Sequence, residues 1–183
     1  LSSDSQSTGN IINEKGNEVV ISIPNINNIS NGLITLSNGD NINYTSSNEL
    51  DSQISDGLLS TSSTNQEIIG HTTTRTGVIL FTTDNEMDCI WKVDNVIDES
   101  YELKLLYLRN LGFSKNSPIQ AVYNYENENI EKVYWVDGKN QIRFININHE
   151  SIKGNGLLID IPSNSINFVG NVSLSQPKIN SVV

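Results

Sequence analysis

Gly77-Val78-Ile79-Leu80-Phe81-Thr82-Thr83-Asp84-Asn85-Glu86-Met87-Asp88-Cys89-Ile90-Trp91-Lys92-Val93 is the stretch on which the fold reading turns. Two short runs of β-branched and aromatic residues flank a polar turn that opens with Asp. Neither run carries a 3.6-residue period, so the pattern predicts a β-hairpin. A second segment repeats it: Lys132-Val133-Tyr134-Trp135-Val136-Asp137-Gly138, then Lys139-Asn140, then Gln141-Ile142-Arg143-Phe144-Ile145. Setting Asp84 on Asp137 gives an offset of 53 residues (137 minus 84) and places Phe81 on Tyr134 and Trp91 on Phe144. Propeller blades repeat at roughly 40–50 residues, near this spacing. A closed propeller needs about four blades or more, beyond the reach of 183 residues. The expectation is therefore a partial β-propeller-like module completed by another chain or segment.

Outward from this pair, strand signals dominate. Glu18 to Ile23 alternates Val19, Ile21 and Ile23 against Val20 and Ser22, and Pro24 stops it. Asn31-Gly32, Leu33 to Leu36, Asn38-Gly39 and Ile42 to Tyr44 complete what reads as a three-strand meander, since Asn and Gly tolerate positive φ. Leu1 to Asn10 is polar and Ser-rich and is expected to lack order unless a partner holds it. Thr45 to Gln66 shows neither period and is expected to be a long loop or linker, dividing two units or packing on a neighbour. Tyr101 to Leu108 suits helix or strand by composition, with strand favoured. Further strands are expected at Ile119 to Asn124, Val133 to Val136, Gln141 to Ile147, Leu157 to Ile161 and Ile166 to Val172. The class is all-β, built of antiparallel hairpins and meanders. Three segments follow: 1–44, 45–66 and 67–183.

Composition narrows the function. Charged residues are 17%, against ~25% in ordinary globular proteins. Asn (27) and Ser (23) fill the difference. The formal charge is −10, the wrong sign for a protein that holds nucleic acid by its phosphates. The basic residues Lys15, Arg75, Lys92, Lys104, Arg109, Lys132 and Arg143 are also scattered. No run approaches the ~18 apolar residues of a membrane span. The single cysteine, Cys89, excludes an internal disulfide. The chain starts with Leu1 and ends in an uncapped run, so a piece of a longer polypeptide and a trimmed leader stand equal.

Motifs for chemistry are sparse. His71 and His149 are the only histidines and neither has a second ligand at metal spacing. Cys89 lies in an apolar strand pattern, which suits a buried thiol. Asp84, Glu86 and Asp88 alternate like the start of a calcium loop, but Cys89 replaces the required glycine and Asn95 the closing Glu, favouring a solvated turn. Tyr123, Tyr125, Tyr134, Trp135 and Phe144 suggest either a sugar-stacking platform or cross-strand packing, the second being favoured because strands enrich such residues. No catalytic, cofactor or metal residues are assigned.

The stretch from Leu105 to Phe113, then Pro118 to Gly138 with its Glu-Asn-Ile-Glu-Lys-Val-Tyr-Trp-Val-Asp-Gly core, then Asn140 to Ile147, resembles the tail stabilisation or muzzle (nozzle) proteins of crAss-like bacteriophages. Gly77 to Asp84 fits the same pattern, and the resemblance covers roughly residues 65 to 150. Val136 and Ile142 depart from it, where Thr and a nearby Pro are common. The motif residues that carry it are Tyr134, Trp135, Asp137, Gly138, Arg143 and Phe144, with Phe81, Asp84 and Trp91 in the companion hairpin. The resemblance implies a structural virion protein of a short phage tail. It would form part of an oligomeric ring around the DNA exit channel, with no enzymatic activity and no cofactor. Implied partners are other copies of the chain, further segments of the same precursor, other tail and portal-proximal virion proteins, and passing double-stranded DNA that is not bound specifically. A carbohydrate-binding or glycan-cleaving tail module is the rival reading.

Overall fold

A computed structural model of the chain describes residues 7–12, 18–44, 48–97, 100–149 and 169–171. Its elements are β1 (Ser7–Ile12), β2 (Glu18–Ile23), β3 (Ile26–Ser30), β4 (Leu33–Leu36), β5 (Asn41–Asn43), α1 (Asn48–Ser55), β6 (Glu67–Thr73), β7 (Gly77–Thr83), β8 (Asp88–Ile97), β9 (Ser100–Arg109), β10 (Gln120–Asn127), β11 (Ile130–Val136), β12 (Arg143–Asn146) and β13 (Val169–Asn171). They form open antiparallel sheets in the orders β1-β2, β3-β4-β5, β6-β7-β8-β9 and β10-β11-β12-β13. The all-β class stands, and Tyr101 to Leu108 is strand.

The central sheet, β6 to β9, is covered on both faces. Every residue of β7 from Val78 to Thr83 is buried. That explains its unbroken apolar run, since a strand with two buried faces has no reason to alternate. Val78, Leu80, Cys89, Trp91, Val93, Leu105 and Leu108 join a core with Ile21, Ile23, Ile26, Ile34, Leu36, Leu50 and Leu59 from the N-terminal elements. On the other face Ile79, Phe81, Ile90, Leu106 and Tyr107 meet Phe113, Ile119, Val133, Trp135, Ile145 and Ile147 of the last sheet and its approach. The arrangement is a three-layer stack with the central sheet in the middle.

Several expectations change at the N-terminal end. The meander is β3-β4-β5, turning at Asn31-Gly32 (φ 52° and 77°) as its sequence demands, but its first strand is Ile26–Ser30. Glu18 to Ile23 instead pairs with Ser7–Ile12, so Ser7 to Asn10 belong to a strand and Leu1 to Gln6 lie outside the described residues. Within 45–66 the chain forms a short helix, where a loop was expected. Leu50 is fully buried and Ile54 partly so, one turn apart on one face, and Gln53 Oε1 accepts the Asn110 N–H at 2.9 Å. A helix this short is marginal alone, which is why sequence periodicity gives it no signal. The expected strand at Leu157 to Ile161 lies outside the described residues, and of Ile166 to Val172 only Val169–Asn171 is described.

Candidate functional site

The two hairpins singled out in the sequence, β7–β8 and β11–β12, lie in adjacent layers. Each turn is held by its Asp in the same way. Asp84 Oδ1 accepts the N–H groups of Glu86 (3.0 Å) and Met87 (2.7 Å). Asp137 Oδ1 accepts those of Lys139 (3.0 Å) and Asn140 (2.8 Å). An Asp carboxylate that takes the amides two and three residues on closes a tight turn locally. Gly138 follows at φ 75°, a left-handed backbone that favours glycine, and a Cβ there would also make the Ser117 hydroxyl, 2.8 Å away, turn aside.

The registers add a detail that residue offset misses. Thr82 faces Cys89 with six residues between them (83–88), while Trp135 faces Arg143 with seven (136–142). The counterpart of the Phe81–Ile90 pair is therefore Tyr134–Phe144, and the counterpart of Leu80–Trp91 is Val133–Ile145. In this pairing Ile90 stands where Phe144 stands, and Trp91 where Ile145 does.

Between the layers runs a polar joint built on residues 110–113. Asp88, almost fully buried, accepts the Thr83 hydroxyl at 2.5 Å on one oxygen and the N–H groups of Leu111 (2.7 Å) and Phe113 (3.1 Å) on the other. Burial pushes its carboxyl above the ordinary carboxylate range, outweighing those donors. The Leu111 carbonyl then accepts Arg143 Nη1 at 2.9 Å, and Arg143 Nη2 pairs with Asp137 Oδ2 at 2.5 Å. Asp137 shows the opposite balance. Burial works against its charge, but the Asn140 backbone and side-chain donors, the Lys139 N–H and the Arg143 guanidinium prevail and lower its pKa. Arg143 also lies 5.5 Å from the centroids of both the Phe113 and Trp135 rings. Nothing in the sequence announces this joint, because Asp88 and Arg143 are 55 positions apart and meet only through the backbone of Leu111.

A second buried polar chain sits on the opposite face. Trp91 Nε1 donates to Thr82 Oγ1 (2.9 Å), Thr82 donates to Gln66 Oε1 (2.6 Å), and Gln66 Nε2 donates to the Met87 carbonyl (2.8 Å). It ties the end of the 45–66 segment to the β7–β8 turn.

The groups weighed for chemistry are thus occupied structurally. Asp84 and Asp88 hold backbone amides, and no group of three potential metal ligands occurs among the described residues. Cys89 is buried, which drives its thiol pKa far up and removes the reactive thiolate. His71 is exposed on β6, remote in sequence from His149. Trp135 is 1% exposed and packs on Phe81 (centroids 5.5 Å apart), so it cannot stack on a sugar. Tyr123 is pushed up to about 12 by burial and by its hydrogen bond to Glu131. Tyr125 is 40% exposed with Arg75 over its ring at 4.1 Å, and Tyr134 and Phe144 sit side by side at 5.7 Å on the outer face.

A stack of sheets whose buried carboxylates, Arg and Trp hydrogen-bond turns and joints defines an architectural β-module. The chain belongs to the Crassvirus muzzle protein family, whose model matches residues 1–183. It is a family of phage structural proteins. Likeness to this family reaches well past the motif-bearing stretch at 65–150, into the first 44 residues and the C-terminal part. The muzzle protein of Bacteroides phage crAss001 is 35% identical over 109 residues, which are 60% of this chain and 7% of that protein. The chain thus aligns with a small part of a much longer relative.

Proposed function

We propose that this chain is a load-transmitting structural module in the tail of a phage particle, part of an oligomeric ring around the DNA exit channel, and that it performs no chemistry. The family match over the whole chain carries this reading. The three-layer stack supports it, because stacked sheets joined by buried polar ties resist shear without needing a cleft. The charge of −10 supports it as well: a channel wall of Asp and Glu repels phosphates and lets DNA slide. Other copies of the chain, further segments of the same precursor and other tail and portal-proximal proteins are its partners in this reading. Mass spectrometry of purified phage particles tests it. Peptides such as Asn116–Lys132 should appear at a stoichiometry of several copies per particle, and their absence would refute the assignment. The glycan-module alternative loses its main platform with Trp135 buried, and a negative glycan array on the intact protein is expected.

A further inference from the structure

The outer face of the last sheet repeats, one layer on, a face that is already covered. In the central sheet the Phe81–Ile90 cross-strand pair points forward and is fully buried under the last sheet, against Trp135 and Phe113. Its backward pair, Leu80–Trp91, is buried against the N-terminal layer. The last sheet keeps the same order. Its backward pair, Val133–Ile145, is fully buried against the central sheet, and its forward pair is Tyr134–Phe144. Around that forward pair lie Val122, 67% exposed, and Val136, 37% exposed. Gln120, Asn124, Lys132 and Asn146 share the face by register and give it a polar border, Lys132 standing where the central sheet has Ile79. Lys132 pairs with Glu126 at 3.0 Å and lies 5.6 Å from the Phe144 ring centroid.

The two four-stranded sheets also meet along their first strands. The Ile119 N–H donates to the Ile69 carbonyl at 2.8 Å, and Arg75 lies 4.1 Å over Tyr125. The first strands of the two sheets, β6 and β10, therefore run side by side in the same direction, 50 residues apart (119 minus 69, 125 minus 75). Gly70 permits this approach, since a Cβ there would stand 2.6 Å from the Ile119 carbonyl oxygen. Four antiparallel strands in each of these two sheets, face-to-face stacking and parallel first strands are the geometry by which propeller blades follow one another.

We propose that the Val122–Tyr134–Val136–Phe144 face seats a further four-stranded antiparallel sheet. That sheet presents an apolar backward pair of the Leu80–Trp91 and Val133–Ile145 kind, and a segment of the same long polypeptide outside residues 1–183 supplies it. The inference rests on the reading of the chain as a module of a larger protein, and the length of the crAss001 relative leaves ample chain for such a sheet. A sheet repeats the contact already made once within these residues. A second copy of the chain would have to offer a backward face that its own preceding layer already covers.

Site-specific photocrosslinking tests it. A diazirine analogue of leucine replaces Val122 in the full-length phage polypeptide, purified as a monomer, and the cross-linked peptide is identified by mass spectrometry. A cross-link to a β-rich segment of the same polypeptide outside residues 1–183 is the expected result. A cross-link to residues within 1–183 would mean the chain covers its own face. Cross-links that appear only on oligomerisation would mean another copy does, and no cross-link would mean the face stays open; any of the three overturns the inference. Detection of the chain in particles is independent of all four results, so the structural-module reading can stand where this one fails.

Discussion

Removing the Asp137 carboxylate is the sharpest perturbation of the joint between the layers. Asp137 is 2% exposed and its pair, Arg143, is 12% exposed at the side chain. In Asp137→Ala the guanidinium keeps its bond to the Leu111 carbonyl but loses its counter-charge while enclosed by Phe113 and Trp135. Breaking a buried pair from one side costs about 3–5 kcal/mol, because a charge is left unpaired away from water. The Lys139 and Asn140 amides also lose their acceptor, but both residues are exposed and water replaces it, so the Arg143 effect dominates. Against a total of about 5–15 kcal/mol this is a large fraction. Adding Arg143→Met removes the stranded charge and keeps the apolar stem, and should recover more than half of the loss. Urea unfolding followed by tryptophan fluorescence measures both variants. Because Asp137 has a lowered pKa, its contribution is present above the ordinary value of 3.8 and fades as pH falls through the lower folded value. The single-variant deficit should shrink in acid. A loss below about 1 kcal/mol at pH 7, or a double variant no more stable than the single, would refute the reasoning.

Other perturbations address the remaining contacts. Asp88 carries a raised pKa, so the stability its protonated form contributes is complete below 3.8 and is lost as pH rises through the folded value. Asp88→Asn should therefore gain on the wild type as pH rises from 3.8, and parallel stability–pH curves would contradict this. Gly70→Ala drives a Cβ onto the Ile119 carbonyl and should cost about 1–3 kcal/mol, with faster hydrogen exchange at the Ile119 amide as the local signature. Trp91→Phe removes the donor to Thr82 inside a buried chain and should cost about 1–3 kcal/mol for the lost bond. An unchanged melting temperature would show that this bond contributes nothing.

Much of the fold is local in origin and so legible. The two hairpins announce themselves by apolar runs around an opening Asp, and the Asn31-Gly32 turn by the positive φ those residues accept. Residues 48–55 escape notice because an eight-residue helix gains its stability from burying Leu50 and Ile54, which requires the neighbouring sheet. The pairing of Glu18–Ile23 with Ser7–Ile12 is equally hidden, since a polar, Ser-rich segment carries no strand signal of its own. Of the candidate site, the matching Asp84 and Asp137 turns are readable from spacing, whereas the roles of Asp88 and Leu111 are not.

By itself the amino-acid sequence determined the antiparallel β class, the turn chemistry, the near-repeat of two hairpins and the kinship to phage muzzle proteins. Each depends on residues within a few positions of one another or on a contiguous pattern. Only the tertiary structure decided which face of each strand meets which layer, that Trp135 is enclosed, and that Arg143 reaches across to Leu111. One residue more in the second turn moves Ile90, not Trp91, opposite the role of Phe144, a consequence of pairing geometry. Side-chain direction alternates along a strand, so such a shift is invisible until the strands are in register.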